Sequence, residues 1–268
     1  MFFNAKEITI PVSQSRMTYV VFGSGTRPLV IIPGLSLRSI HGSAVPLAWM
    51  YRIFRKDYRV YVFDKKEDIP ENCTASDLAQ DVAEAMRLIG IGRADVIGIS
   101  QGGMIAQYLA LDHPELVSKL VLGVTLSRPN DTVKEAVGDW VAAVEKGDYG
   151  AVVRDMTVRM YSKAYVKKYG FLFPLLMKVT RLDDPERFIR LAKACLTCDT
   201  YGRLDAIRCP VLVLGGREDR IVTAKASEEI AEKIGCEIYL YDGLGHSAYE
   251  EGKDFNQRIF RFFRSQPQ

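Results

Sequence analysis

Two hydrophobic periods alternate along this chain. Short apolar or alternating runs give way to stretches with apolar positions three and four apart, then return. Residues 7–12 and 17–22 are rich in β-branched and aromatic side chains. They predict two strands, with residues 13–16 as the hairpin connection. Leu29, Val30, Ile31 and Ile32 form a continuous apolar run of the buried-strand type, ending at Pro33-Gly34-Leu35-Ser36. Residues 49–54 predict a helix and residues 58–63 another strand. Thr74-Ala75-Ser76-Asp77 resembles a capping box, with Asp in the place usually held by Glu or Gln. It opens a helix whose apolar face carries Leu78, Val82, Ala85, Met86 and Ile89, with Gly90 at its end. Residues 94–99 predict a strand and 104–111 a helix, stopped at His113-Pro114. Residues 120–124 predict the next strand.

Strands alternating with helices imply an α/β fold, with a mostly parallel central sheet covered by helices on both faces. Residues 128–204 break that rhythm. Trp140, Val141, Val144, Val152, Val153, Met156, Met160, Phe171, Leu175 and Leu176 supply apolar faces, punctuated by Gly147, Gly150, Gly170 and Pro174. This stretch predicts an inserted helical cap. It divides the core into residues 1–127 and 205–268. The rhythm then resumes with a strand over 210–216, a helix over 224–234 and a strand over 237–241. The loop Gly243-Leu244-Gly245-His246-Ser247 follows. Phe255, Ile259, Phe262 and Phe263 lie at helical spacing near the end.

The 268 residues are 48% hydrophobic and 26% charged, enough apolar material for a sizeable core. A net charge of +3 is too small to indicate nucleic-acid binding. No apolar run reaches the length of a membrane span, and the N-terminus lacks the pattern of a signal peptide. Cys73, Cys195, Cys198, Cys209 and Cys236 are odd in number and scattered. They read as buried thiols rather than a disulfide framework, and point to the cytoplasm. The cap carries 14 Lys and Arg against 10 Asp and Glu. That excess fits either a solvated helical surface or an anionic ligand. The oligomeric state is left open.

Gly98-Ile99-Ser100-Gln101-Gly102 sits where a strand turns into a helix. In that context the pattern describes a strained turn that exposes a serine oxygen above the sheet, with the Gln101 N–H aimed at the reacting carbonyl. Residues two away from the serine must be small, and both are Gly. A serine hydroxyl needs a base to take its proton as it attacks. Three histidines are available. His113 sits at a helix end. His41, shortly after the Pro33-Gly34 turn, is a candidate pocket residue. His246, in a Gly-flanked loop beyond a late strand, is the base candidate. A carboxylate must orient that base, and Glu218 and Asp219 compete for the role.

Together, Ile32-Pro33-Gly34-Leu35, Gly98 through Met104, Gly215 through Val222 and Gly243-Leu244-Gly245-His246 resemble, in order, the landmarks of the α/β-hydrolase family. The resemblance spans nearly the whole chain outside the cap. It implies Ser100 as nucleophile, His246 as base and Asp219 as orienting acid, since the family's acid precedes a short turn and a branched apolar pair, here Ile221-Val222. It places the oxyanion hole at the backbone N–H groups of Leu35 and Gln101, with Val222 among the pocket residues. Two departures stand out. Pro33-Gly34 replaces the commoner His-Gly, which keeps the backbone donor. After the fourth strand the chain reads Phe63-Asp64-Lys65-Lys66-Glu67-Asp68 where many members carry Arg-Gly-x-Gly.

The expected activity is hydrolysis of an ester-type bond in a small molecule, as in a carboxylesterase or lactonase, through an acyl-enzyme on Ser100. Such chemistry requires no metal or organic cofactor, and no nucleic-acid or membrane partner is expected. A cofactor-free perhydrolase would use the same residues. So would a ligand receptor that retains the triad but turns over slowly.

Overall fold

The computed structural model describes residues 2–172 and 182–265. Eight strands form one sheet: β1 (Lys6–Val12), β2 (Ser15–Phe22), β3 (Arg27–Ile32), β4 (Tyr58–Phe63), β5 (Ala94–Ile99), β6 (Val117–Gly123), β7 (Val211–Gly216) and β8 (Glu237–Tyr241). Their order across the sheet is β1-β2-β4-β3-β5-β6-β7-β8. β2 runs antiparallel to both β1 and β4, and the remaining neighbours are parallel. The chain leaves β3 for β4 on one side and returns to β5 on the other. A crevice therefore opens beyond the carboxyl ends of β3 and β5, where α/β sheets bind ligands. The register pairs Ile32 with Gly98, so the turns after these two strands lie side by side.

Alternating residues of the central strands feed two cores. Val96 joins one, packed with α2 (Ala75–Leu88), α3 (Gln101–Asp112) and α8 (Ala224–Ile234). Ile97 and Ile99 join the other, packed with α1 (Ala44–Met50) and α10 (Phe255–Arg264). Thr74 and Asp77 form the expected reciprocal cap at the start of α2. Near the C-terminus, the buried Lys119 ammonium donates to the Phe262, Phe263 and Ser265 carbonyls, which satisfies the exposed end of α10.

Several boundaries differ from the sequence reading. The helix expected over 49–54 begins earlier, at Ala44, and breaks at Tyr51 before a 3₁₀ turn at Arg52–Phe54. Helix α3 begins at Gln101, directly behind Ser100, rather than at Met104. A short helix, α9 (Ala248–Glu251), follows His246 with no clear periodic signal ahead of it. Between β6 and β7 lie α4 (Asp131–Glu145), α5 (Tyr149–Met160), α6 (Lys163–Tyr169) and α7 (Pro185–Ala194). Val133, Val137, Trp140, Val152 and Met156 turn inward from this segment. Phe171 does not join an apolar face, being 76% exposed. Pro174, Leu175 and Leu176 lie outside the described residues. No helix among the described residues is long and apolar enough to cross a membrane.

Candidate active site

Ser100 occupies a backbone conformation that side-chain-bearing residues rarely adopt, with φ 53° and ψ −119°. Its surroundings hold it there. The Ser100 N–H donates to the Gly123 carbonyl, extending the β5–β6 ladder by one residue. The Ser100 carbonyl accepts from the Gly103 and Met104 amides and from the Thr125 hydroxyl. Glycine is required on both sides by contact. A Cβ on Gly98 would come within 2.5 Å of the Gly102 carbonyl oxygen. A Cβ on Gly102 would meet the Ile32 carbonyl oxygen at 1.8 Å, so this second glycine is set by the end of β3 rather than by its own helix.

His246 lies in the loop after β8 and is 3% exposed. Its Nε2 is 2.8 Å from Ser100 Oγ, and its Nδ1 is 2.8 Å from Asp219 Oδ2. The loops that bring them together are joined by Arg217 N–H to the Tyr241 carbonyl and Glu218 N–H to the Leu244 carbonyl. They approach so closely that a Cβ on Gly216 would be 2.1 Å from the Gly245 oxygen.

Asp219 sits three residues beyond β7 and is 8% exposed. Its Oδ1 accepts from the Ile221 and Val222 amides at 2.8 and 3.0 Å. Burial pushes its carboxyl upward. The charge and hydrogen bond of His246, with the two amides, outweigh that and hold it below the ordinary aspartate range. Glu218, the competing carboxylate, is exposed. The branched pair Ile221-Val222 thus serves Asp219 through its backbone.

Gly34, Leu35, Ser100, Met104, Trp140, Met156, Cys195, Val222, His246 and Tyr249 contribute to the lining of a cavity of about 40 Å³. A larger cavity of about 790 Å³ adjoins it and shares Gly34, Leu35, Met156, Met160 and Tyr249 as walls. Its other walls are mainly apolar, with Arg38, Arg154 and Glu250 among them.

His41 does not belong with these residues. Its ring is 54% exposed and lies near Glu7 and Thr18, on the first two strands, and it lines neither cavity. The chain follows the larger cavity through Arg38 and has left it by His41, so closeness in sequence to that turn did not carry into space. His113 stands at the end of α3, where its ring bonds Gln80 and Arg87 of α2. Cys195 and Cys198 are buried thiols, both pushed up to about 12 by burial. Among the described residues, no group of three or more His, Cys, Asp or Glu side chains is arranged to hold a metal ion.

The helices between β6 and β7 are fastened over this site. Gln101 Nε2 donates to the Leu191 carbonyl in α7. Arg187 of α7 donates to the Lys65 and Lys66 carbonyls. The Ser247 amide donates to the Met160 carbonyl at the end of α5, and Ser162 bonds Glu251. Of the basic side chains in residues 128–204, Arg159 and Arg190 pair with carboxylates of the same segment, and Arg187 and Arg203 pair with Asp64 and Asp112 outside it. Trp140 and Met156 had a sequence signal only as apolar helix positions. Thr125 and Tyr249 had none, because only folding brings them to Ser100.

The sequence profile of the α/β hydrolase fold family matches residues 27–253. RutD of Rhizobium rhizogenes, provisionally named a carbamate hydrolase, is 26% identical over 219 residues, covering 78% of this chain and 84% of its own. A 2-hydroxy-6-oxononadienedioate/2-hydroxy-6-oxononatrienedioate hydrolase of Burkholderia vietnamiensis is 28% identical, covering 94% of this chain and 92% of its own. Among solved structures, the enol-lactonase of Burkholderia xenovorans superposes with a TM-score of 0.81 at 20% identity, covering 96% of this chain and all of that one. With its profile match spanning most of the sequence, and with this strand order, the chain belongs to the α/β-hydrolase fold family.

Proposed function

We propose that the protein is a serine hydrolase that cleaves an ester-type acyl bond of a small molecule. The observation that carries this reading is the continuous relay from Asp219 Oδ2 through His246 to Ser100 Oγ, with both links at 2.8 Å. In this reading His246 Nε2 takes the Ser100 proton as Oγ attacks the substrate carbonyl. Asp219 holds the His246 tautomer and stabilises the imidazolium that forms. The Leu35 and Gln101 N–H groups receive the developing oxyanion, and one such donor is worth about 3 kcal/mol of barrier. His246 then returns the proton to the leaving alcohol, which leaves an acyl group on Ser100. Water, deprotonated by the same imidazole, releases the acid.

The cavities support a division of labour. The small one holds the reacting carbonyl beside Ser100 and His246. The larger, mainly apolar one takes the bulk of an apolar acyl or alcohol part. The described helices between β6 and β7 act as the cap that roofs both. The lactonase and carbamate names of the relatives make lactones and carbamates natural members of the substrate panel beside simple esters.

The test is hydrolysis of p-nitrophenyl esters of short to medium acyl length, by the parent protein and Ser100→Ala. The expected result is turnover that vanishes in the variant, with a length profile that sizes the larger cavity. Equal rates in the two proteins would overturn esterase activity on these substrates. Labelling of Ser100 by a fluorophosphonate without ester turnover would move the reading to a narrower substrate or a slow receptor.

A further inference from the structure

The turn after β3 is held by a side chain that is not part of the lining of either cavity. Lys65 follows β4 and is only 6% exposed. Its ammonium donates to two consecutive backbone carbonyls, Pro33 at 2.6 Å and Gly34 at 2.7 Å. The neighbouring carboxylate does not take this charge as an ion pair. Asp64 Oδ1 accepts from the Lys65 amide and the Arg187 guanidinium, and Oδ2 from the Ile40 amide.

The C=O and N–H of a trans peptide point in opposite directions. The Gly34–Leu35 peptide is trans, so fixing the Gly34 carbonyl on Lys65 turns the Leu35 N–H the other way. The other way is the Ser100 side. Gly34 and Leu35 line the small cavity with Ser100 and His246, and Lys65 does not. A Cβ on Gly34 would lie 3.1 Å from Ser100 Cβ. The contact has an electronic consequence as well. A cation on a peptide oxygen draws density from the nitrogen, so the N–H becomes a stronger donor, and low dielectric amplifies the effect.

We infer that Lys65 is a positioning residue: by gripping the Pro33 and Gly34 carbonyls it aims the Leu35 N–H at the oxygen that gains charge when Ser100 attacks. This rests on the serine-hydrolase reading above. It also accounts for the departure after the fourth strand, where Asp64-Lys65-Lys66 stands in place of the commoner glycine-rich loop.

A fluorophosphonate tests it without knowledge of the substrate. Ser100 Oγ attacks phosphorus, fluoride leaves, His246 takes the proton, and the phosphonyl oxygen occupies the oxyanion position. The limiting labelling rate, kinact, and the half-saturating concentration, KI, are measured for the parent, Lys65→Met and Lys65→Arg, with thermal unfolding as the check on folding. The expected result is kinact lower by about 10–100-fold in Lys65→Met, below the loss from deleting an oxyanion donor outright. KI stays within about threefold, and Lys65→Arg recovers part of the rate. A folded Lys65→Met with kinact within about threefold of the parent, or with the change confined to KI, overturns the inference alone. Should Lys65→Met fail to fold, Lys65→Gln is read against the same limits. A parent protein that is not labelled at Ser100 overturns the serine-hydrolase reading, and this inference with it.

Discussion

The Thr125 hydroxyl donates a 2.7 Å hydrogen bond to the backbone carbonyl of Ser100. Thr125 follows β6 by two residues, and its Cβ also packs on Gly103, the third residue past the serine. One side chain from the segment after β6 thus braces the strained turn. Thr125→Val keeps the shape and removes the donor. Because the carbonyl keeps the Gly103 and Met104 amides, the expected cost is about 0.5–1.5 kcal/mol of stability. Urea denaturation checks this, and an unchanged midpoint would show that the bond does not support the turn.

Two glycines in helices should respond to alanine in opposite ways. Gly102→Ala drives a methyl to 1.8 Å from the Ile32 carbonyl oxygen, so α3 and the end of β3 must separate. A loss of about 3 kcal/mol or more is expected, together with loss of labelling at Ser100. Gly138 lies in α4 with nothing within 4 Å of an added Cβ, so Gly138→Ala should stabilise by up to about 1 kcal/mol. Paired thermal melts decide both.

The Asp219 carboxyl is held below its ordinary range, so its folded value lies under its unfolded one. Its contribution to stability is therefore complete above about pH 4 and is lost as pH falls through the folded value. The stability difference between the parent and Asp219→Asn should be constant from neutral pH down to about 5, then shrink. Turnover by the variant should fall by about 10⁴-fold, because His246 loses both its tautomer partner and the charge that balances the imidazolium. A pH series of denaturation curves and an ester assay test the two halves separately.

Lys65 works in the opposite direction. Burial lowers its ammonium to about 8; the Asp64 charge and Cys195 oppose that and the Arg187 charge adds to it. Between about pH 8 and the ordinary lysine value near 10.4 the unfolded chain binds the extra proton, so stability contributed at this position rises with pH. The parent should gain stability relative to Lys65→Met across that interval. Parallel denaturation midpoints that keep a constant separation would contradict it.

Much of the architecture was legible because it follows from local periodicity. The buried runs of β3, β5 and β7 and the capped amphipathic helix α2 announce themselves in windows of a few residues. Ser100 was legible for a related reason: a serine between two glycines at a strand-to-helix junction describes a backbone shape before any tertiary contact exists. The boundaries of α1 and α3 were less legible, because helix ends depend on which carbonyls and caps the rest of the molecule supplies.

His41 and Lys65 mark where sequence reasoning stops. His41 is near the β3 turn in sequence and away from the cavities in space. Lys65 is some thirty positions from Gly34 and touches it. The sequence by itself determined the alternation of elements, the strained turn at Ser100, and the residue types able to do acyl chemistry. Only the tertiary structure set Asp219 against His246 with Glu218 exposed, left His41 outside the cavity walls, and brought Thr125 and Lys65 to the turns beside Ser100. Periodicity reports which face of an element is buried. Which loops meet beyond the sheet depends on strand order, and strand order is a property of long-range packing.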